Sequence, residues 1–302
     1  MATGSKKTRR SKGAPVPLAT AAASAPRPPR AAPSSRTSRT SRTARPAESS
    51  APAEIRAPSA WMMLLEGRAL WEYGAALAAM PMLRSAEKGD GHPVLVLPGL
   101  AANDVSTYPL RQYLRERGYA PHPWNYGLNF GPRPGVLAGC IEHVKELHKM
   151  HGRKVSLVGW SLGGIYAREI AKAIPKLTRC VITLGTPFTG NPKATNAWRL
   201  YQLVSGHKID DFELHEQIRT APPVPTTSLY SKSDGIVAWQ CSLNEPGPLT
   251  ENIEIQASHF GMGLNPTALY AIADRLGQVE GKWQPFDASG TRKWFFKTPD
   301  RT

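Results

Sequence analysis

A serine framed by glycines between a strand and a helix is the most constraining feature of this 302-residue chain. Residues 159–163 are Gly-Trp-Ser-Leu-Gly, directly after the Val-rich run 155–158 and directly before a helical pattern. This context predicts a sharp strand-to-helix turn, in which side chains larger than those of Gly159 and Gly163 would collide. The turn exposes the Ser161 hydroxyl as a nucleophile and places the backbone N–H of Leu162 at a helix N-terminus, where it would stabilise negative charge.

Short apolar runs alternate with helical patterns from about residue 91 onward, which predicts parallel strands joined by crossover helices. The first run is continuous and ends in Pro98-Gly99, as expected of a buried strand followed by a tight loop. We predict strands at 94–97, 119–124, 155–158, 180–184, 226–230 and 252–256, and helices at 108–117, 136–150, 162–174 and 266–276.

The segment upstream of the first strand is rich in Trp, Met, Leu and Ala. Its apolar residues form a broad surface over 61–80, and Pro81 follows, so that the pattern predicts one helix. Such a helix more often packs on its own domain than on lipid. A helix that lies on a membrane surface is the alternative.

A nucleophilic serine needs a base, and the base needs an orienting carboxylate, both from the ends of later strands. Asp234 follows the predicted strand 226–230 and precedes a glycine, and His259 follows the last strand. The order Ser, Asp, His is the one expected for this architecture. The competing acids Asp210 and Asp211 lie in an insertion after Pro187. None of the other histidines follows the last strand; they are His92, His122, His143, His148, His151, His207 and His215.

Together these segments resemble the α/β-hydrolase superfamily, particularly its lipase and esterase branch. The resemblance covers about residues 92–276 and is carried by Pro98-Gly99-Leu100, the turn at Ser161, Leu184-Gly185-Thr186-Pro187-Phe188, Ser-Asp-Gly around Asp234 and Ser-His around His259. It implies a mostly parallel, doubly wound sheet, a covalent acyl-enzyme on Ser161 and a helical lid at about 188–225. Trp198, Tyr201, Leu203 and Phe212 give the lid apolar side chains.

The loop after the first strand is expected to supply the second donor of an oxyanion hole. Many members of the superfamily carry His-Gly there, whereas this chain has Pro98-Gly99. Gly99 lets the backbone approach the substrate, and Leu100 then offers its N–H; Ala101 is the neighbour most suited to replace it. The predicted oxyanion donors are therefore the backbone N–H groups of Leu100 and Leu162.

Most of the formal net charge of +15 belongs to the N-terminal tail. Residues 1–56 hold 12 Lys or Arg and two Glu, a charge of +10, with many Pro, Ala and Ser residues and few large apolar ones. Such a composition predicts a disordered basic tail. It would serve as a solvated spacer, a phosphate contact, an anchor on an anionic surface or an organellar presequence. The remainder of the chain predicts no specific nucleic-acid partner.

Several chemistries lack their motifs. The three cysteines are too far apart for a Cys-x-x-Cys site, and no phosphate-binding, dinucleotide or His-Glu-x-x-His motif occurs, so we predict no cofactor and no metal. No apolar run is long enough to span a bilayer, which favours a cytoplasmic protein, with peripheral membrane association and organellar targeting left open. The expected divisions are the tail, a helical segment at 57–90, the hydrolase domain at 91–280 and an extension at 281–302.

These features predict a serine hydrolase that cleaves small-molecule or lipid carboxylic esters. Acyl transfer on the same Ser161, Asp234 and His259 triad is one alternative, because the acceptor is set by the shape and dryness of the site. A surface-tethered binding protein with an inactive hydrolase fold is the other.

Overall fold

The computed structural model describes residues 55–131, 133–190, 195–196 and 218–297. These residues belong to one compact unit, Pro52–Thr302. The predicted tail, apart from residues 55–56, and the predicted lid side chains from Trp198 to Phe212 lie outside the described residues. No helix in the described ranges is long and apolar enough to cross a membrane.

The described strands form a single parallel sheet, as the sequence predicts. In spatial order they are β2-β1-β3-β4-β5-β6, with every neighbouring pair parallel. Their bounds are β1 Pro93–Leu97, β2 Ala120–His122, β3 Val155–Trp160, β4 Thr178–Leu184, β5 Thr226–Tyr230 and β6 Thr250–Glu254. Parallel strands share one direction, so that loops following β1, β3, β5 and β6 all leave from the same edge.

Helices cover both faces of this sheet. They are α1 Ala60–Leu64, α2 Ala69–Ala78, α3 Met80–Arg84, α4 Tyr108–Glu116, α5 Val136–His151, α6 Leu162–Ala173 and α7 Pro266–Gly277. Val94 and Val96 of β1 belong to a core that includes α4 and α7, whereas Leu95 and Leu97 belong to a second core with α5 and α6. Alternate residues of a strand point to opposite faces, so the continuous apolar run reflects burial on both sides.

The prediction of one helix over 61–80 is wrong. The segment consists of α1, a 3-10 turn at Leu65–Arg68, α2 and the start of α3. The 3-10 turn carries Glu66, which is only 4% exposed, into the interior. Pro81 lies in the first turn of α3, where a missing N–H breaks no helical hydrogen bond. Inward-directed polar side chains therefore decide the path of this segment more than its apolar content does.

Candidate active site

Ser161 occupies a sharp turn between β3 and α6. Its φ of +51° lies in the left-handed region, which is strained for a residue with a side chain. A Cβ on Gly159 would lie 2.4 Å from the carbonyl oxygen of Gly163, and a Cβ on Gly163 would lie 2.3 Å from the carbonyl oxygen of Leu97. The backbone N–H of Ser161 donates to the Leu184 carbonyl at 2.8 Å. Packing and this hydrogen bond hold the strained turn in place.

The loops after β5 and β6 bring Asp234 and His259 together. The Nδ1–H of His259 donates to Oδ2 of Asp234 at 2.7 Å, and both side chains are buried. The other carboxylate oxygen, Oδ1, accepts the N–H groups of Ile236 and Val237, each at 2.8 Å. These contacts fix the carboxylate, and the carboxylate in turn fixes the imidazole so that Nε2 carries the lone pair.

The structure does not join Ser161 to His259 by a hydrogen bond. Within the described residues, the Ser161 hydroxyl has no hydrogen-bond partner. Two neighbours nevertheless connect the turn to the base: the indole N–H of Trp160 donates to the His259 carbonyl at 3.0 Å, and Gly185, after β4, packs beside His259. Two of the three predicted catalytic side chains are therefore paired, and the third stands at the same edge of the sheet.

The surroundings of His259 set its basicity. Burial opposes the charged form, but the negative charge of Asp234, the hydrogen bond to it and the charge of Glu66 outweigh burial and raise the pKa of His259 above its ordinary value. A raised pKa makes the imidazole a stronger base. The arrangement can therefore support general-base chemistry.

An asparagine orders the loop that holds the predicted donor Leu100. Asn129 is fully buried and its side-chain amide donates to the Pro98 carbonyl at 2.8 Å, while its own carbonyl accepts the Ala101 N–H at 2.7 Å. Ala101 is thus occupied, whereas the N–H groups of Leu100 and Leu162 have no acceptor among the described residues. Sequence analysis missed Asn129, since an Asn in a loop carries no motif of its own.

The N-terminal helices also reach the site, which no sequence signal indicates. Arg68 donates to the Ser233 carbonyl at 2.7 Å and to Oε1 of Glu72 at 3.2 Å. Glu72 accepts the N–H of Ser258, the residue before His259, at 2.7 Å. Side chains that lie far away in the sequence therefore contact both loops of the Asp-His pair.

The competing side chains lie elsewhere. His92 is buried beside the start of β1, where its ring contacts Asp90 and Ser156, and His122 faces His151. Asp210, Asp211, His207 and His215 fall outside the described residues. No group of three or more His, Cys, Asp and Glu side chains in the described ranges could hold a metal ion.

Comparison with known protein families identifies the class to which this fold and site belong. The model of the alpha/beta hydrolase family matches residues 94–292, which is more than half of the chain. The chain belongs to the α/β-hydrolase family.

Two relatives share part of this region. A triacylglycerol lipase of Burkholderia plantarii is 29% identical over 130 residues, covering 39% of this chain and 36% of the relative. A triacylglycerol lipase of Pseudarthrobacter phenanthrenivorans is 30% identical over 110 residues, covering 33% and 34%. The chain thus matches little more than a third of the length of either relative.

A lipase is among the solved structures that share this fold. Lipase B of Aspergillus fumigatus superimposes with a TM-score of 0.51 at 17% identity, covering 65% of this chain and 55% of that one.

Proposed function

We propose that this α/β hydrolase cleaves carboxylic esters through an acyl-enzyme on Ser161. The observation that carries the proposal is the buried hydrogen bond between His259 and Asp234 at the edge of the sheet where Ser161 occupies its strained turn. A serine, an imidazole and a carboxylate in this order and at this edge are the parts that acyl transfer to a serine requires.

The mechanism assigns one role to each group. His259 Nε2 takes the proton of Ser161 as Oγ attacks the ester carbonyl, and Asp234 stabilises the imidazolium that forms. The oxyanion accepts hydrogen bonds from Leu100 and Leu162 N–H, and its collapse expels the alcohol, which leaves with the proton from His259. Water then attacks the acyl carbon, gives its proton to His259, and releases the acid as Ser161 regains its proton.

A lipid ester is the substrate class that the relatives favour, since two partial matches are named triacylglycerol lipases. A small soluble ester is compatible with the same triad. Turnover of p-nitrophenyl esters with increasing acyl length, in solution and on lipid droplets, separates the two. Added alcohol tests acyl transfer, since a transferase would yield a new ester in place of the free acid.

Active-site labelling tests the nucleophile. We expect a fluorophosphonate to label the wild type and to leave Ser161→Ala unlabelled, because only an activated serine attacks phosphorus. Ser85→Ala, which removes an exposed hydroxyl at the end of α3, is the matched control and should label like the wild type. Equal labelling of Ser161→Ala and wild type would exclude Ser161 as the nucleophile.

A second candidate function, docking on a lipid surface, is favoured by the outer face of the N-terminal helices. Large apolar side chains stand in solvent there; Trp61, Leu64, Leu70, Trp71 and Leu77 are all more than half exposed, and Leu70 and Trp71 reach 82%. We call these five residues the apolar face. The basic sequence 1–56 directly precedes it and suits a negatively charged partner. We propose that the apolar face docks on an anionic bilayer, which cosedimentation with vesicles tests.

A further inference from the structure

A buried carboxylate from the N-terminal segment holds both loops of the Asp-His pair. Oε1 of Glu66 accepts the N–H of Gly235 at 2.7 Å and that of His259 at 3.0 Å, and Oε2 accepts the N–H of Phe260 at 2.9 Å. Gly235 directly follows Asp234. One side chain therefore fixes the backbone beside the carboxylate and the backbone of the base itself.

Three N–H donors account for the burial of this charge. Glu66 makes no ion pair with a Lys or Arg in the described part of the chain. A carboxylate that accepts several backbone N–H groups is well stabilised, and its removal would leave three backbone donors without partners, of which those of Gly235 and His259 are buried. The close packing has a second sign: a Cβ on Gly235 would lie 2.3 Å from the Met62 carbonyl oxygen, so the loop can approach the helix only with glycine there.

We propose that Glu66 is a positioning residue of the active site, which sets the relative placement of Asp234 and His259 and contributes negative charge toward the imidazole. This inference rests on the proposed function for its kinetic consequences and on the hydrogen bonds above for its geometry. The glycine-serine motif does not point to it, because the contact joins residues 193 positions apart.

The pH dependence of kcat/KM tests this inference, because a variant that is only less stable would not change the pKa of His259. The charged groups near His259 are Asp234, which accepts its Nδ1–H, and Glu66, whose charge acts through space. Glu72 and Arg68, from the same N-terminal segment, are paired with each other. Since only unprotonated His259 can act as the base, kcat/KM should rise with pH through the raised pKa of His259. Loss of the Glu66 charge should move that rise to lower pH.

The experiment compares three variants of the full chain. Glu66→Gln removes the charge and presents an amide N–H where the Phe260 N–H needs an acceptor. Glu66→Asp keeps the charge with a shorter side chain. Glu142→Gln is the matched control, because it removes the charge of an exposed glutamate of α5 that is paired with Lys145 and contacts neither loop. kcat and KM for p-nitrophenyl butyrate are measured from about pH 5 to 9, and His259 is titrated by NMR in each protein.

We expect Glu66→Gln to lower kcat about 10- to 100-fold, with KM changed less than about twofold, because misplaced catalytic groups slow chemistry more than binding. The acid limb of its kcat/KM profile and the midpoint of its His259 titration should shift to lower pH, while Glu66→Asp and Glu142→Gln keep both near wild type. Coincident midpoints for Glu66→Gln and wild type would overturn the inference, as would an equal shift in Glu142→Gln. If the wild type shows no turnover, the proposed function fails, but the NMR titration still decides the role of Glu66.

Discussion

The strained backbone of Ser161 requires glycine at positions 159 and 163, because a Cβ atom at either position would collide with backbone atoms. Sequence analysis could identify these positions because the turn is local: five consecutive residues and their flanking elements specify it. Asn129 and Glu66 could not be identified in this way, since each acts through contacts with residues remote in the sequence. The sequence thus predicts the local turn at Ser161, whereas the long-range contacts of Asn129 and Glu66 are seen only in the folded chain.

Two glycine substitutions with opposite effects test this view. In Gly159→Ala the new Cβ would meet backbone atoms of Gly163 and Gly164, which cannot move without breaking the turn, so we expect unfolding to become easier by about 3 kcal/mol. Gly74→Ala is the matched control: it lies within α2, where no described atom comes within 4 Å of the new Cβ, and should stabilise by about 0.5–1 kcal/mol. Urea denaturation measures both. Similar stabilities for the two variants would contradict the assignment of close packing to Gly159.

The N-terminal helices show how an element can be misread from composition alone. Their apolar residues predict a single helix packed by one broad surface, yet Glu66, Arg68 and Glu72 make the inward contacts while several Leu and Trp side chains face solvent. By contrast, β1 is predicted well, because its burial on both faces of the sheet leaves a continuous apolar run in the sequence. The hydrophobic periodicity of a sequence cannot predict the packing of an element whose contacts are polar and lie far away in the sequence.

Substitution within the apolar face tests whether it meets lipid. We expect Leu70→Ser with Trp71→Ser to reduce cosedimentation with phosphatidylglycerol-containing vesicles at least about tenfold, because the two most exposed apolar side chains of the apolar face are lost. Val279→Ser, which removes an exposed apolar side chain after α7, is the matched control. Wild type should bind neutral phosphatidylcholine vesicles less well, and more salt should weaken the anionic binding. Equal binding by all three proteins, or a dimer that the double variant abolishes, would reject the lipid as the occupant.

In the molecule as a whole, the opposite edge of the sheet carries a partly buried polar cluster that has no part in the proposed chemistry. Asp90 pairs with His92, Arg153 and Arg179, and His92 also contacts Ser156 at 2.8 Å. Burial, together with the positive charge of Arg179, lowers the pKa of His92 to about 4 despite the attraction of Asp90. Between about pH 4 and 6.5, the imidazole of His92 is therefore neutral in the folded chain and protonated in the unfolded chain.

This cluster predicts how folding stability depends on pH. Between about pH 6.5 and 4 the unfolded state binds the proton of His92 and the folded state does not, so stability falls as the solution is acidified, by up to about 3 kcal/mol from this group. Burial lowers the pKa of His122 to about 4 as well, with the same sign. Urea denaturation from about pH 7 to 4 should give a flatter profile for His92→Gln than for wild type. Parallel profiles would show that His92 does not contribute.

Assembly of the catalytic edge has a consequence for synthesis of the chain. The carboxylate of Glu66 precedes the first strand, and the backbone groups that it holds follow the fifth and sixth strands. A nascent chain that ends after β4 already contains the proposed nucleophile Ser161 but lacks Asp234 and His259. On the proposed mechanism, esterase activity therefore begins only when the loops after β5 and β6 have been synthesised and folded. Shorter translation products would be inactive toward esters.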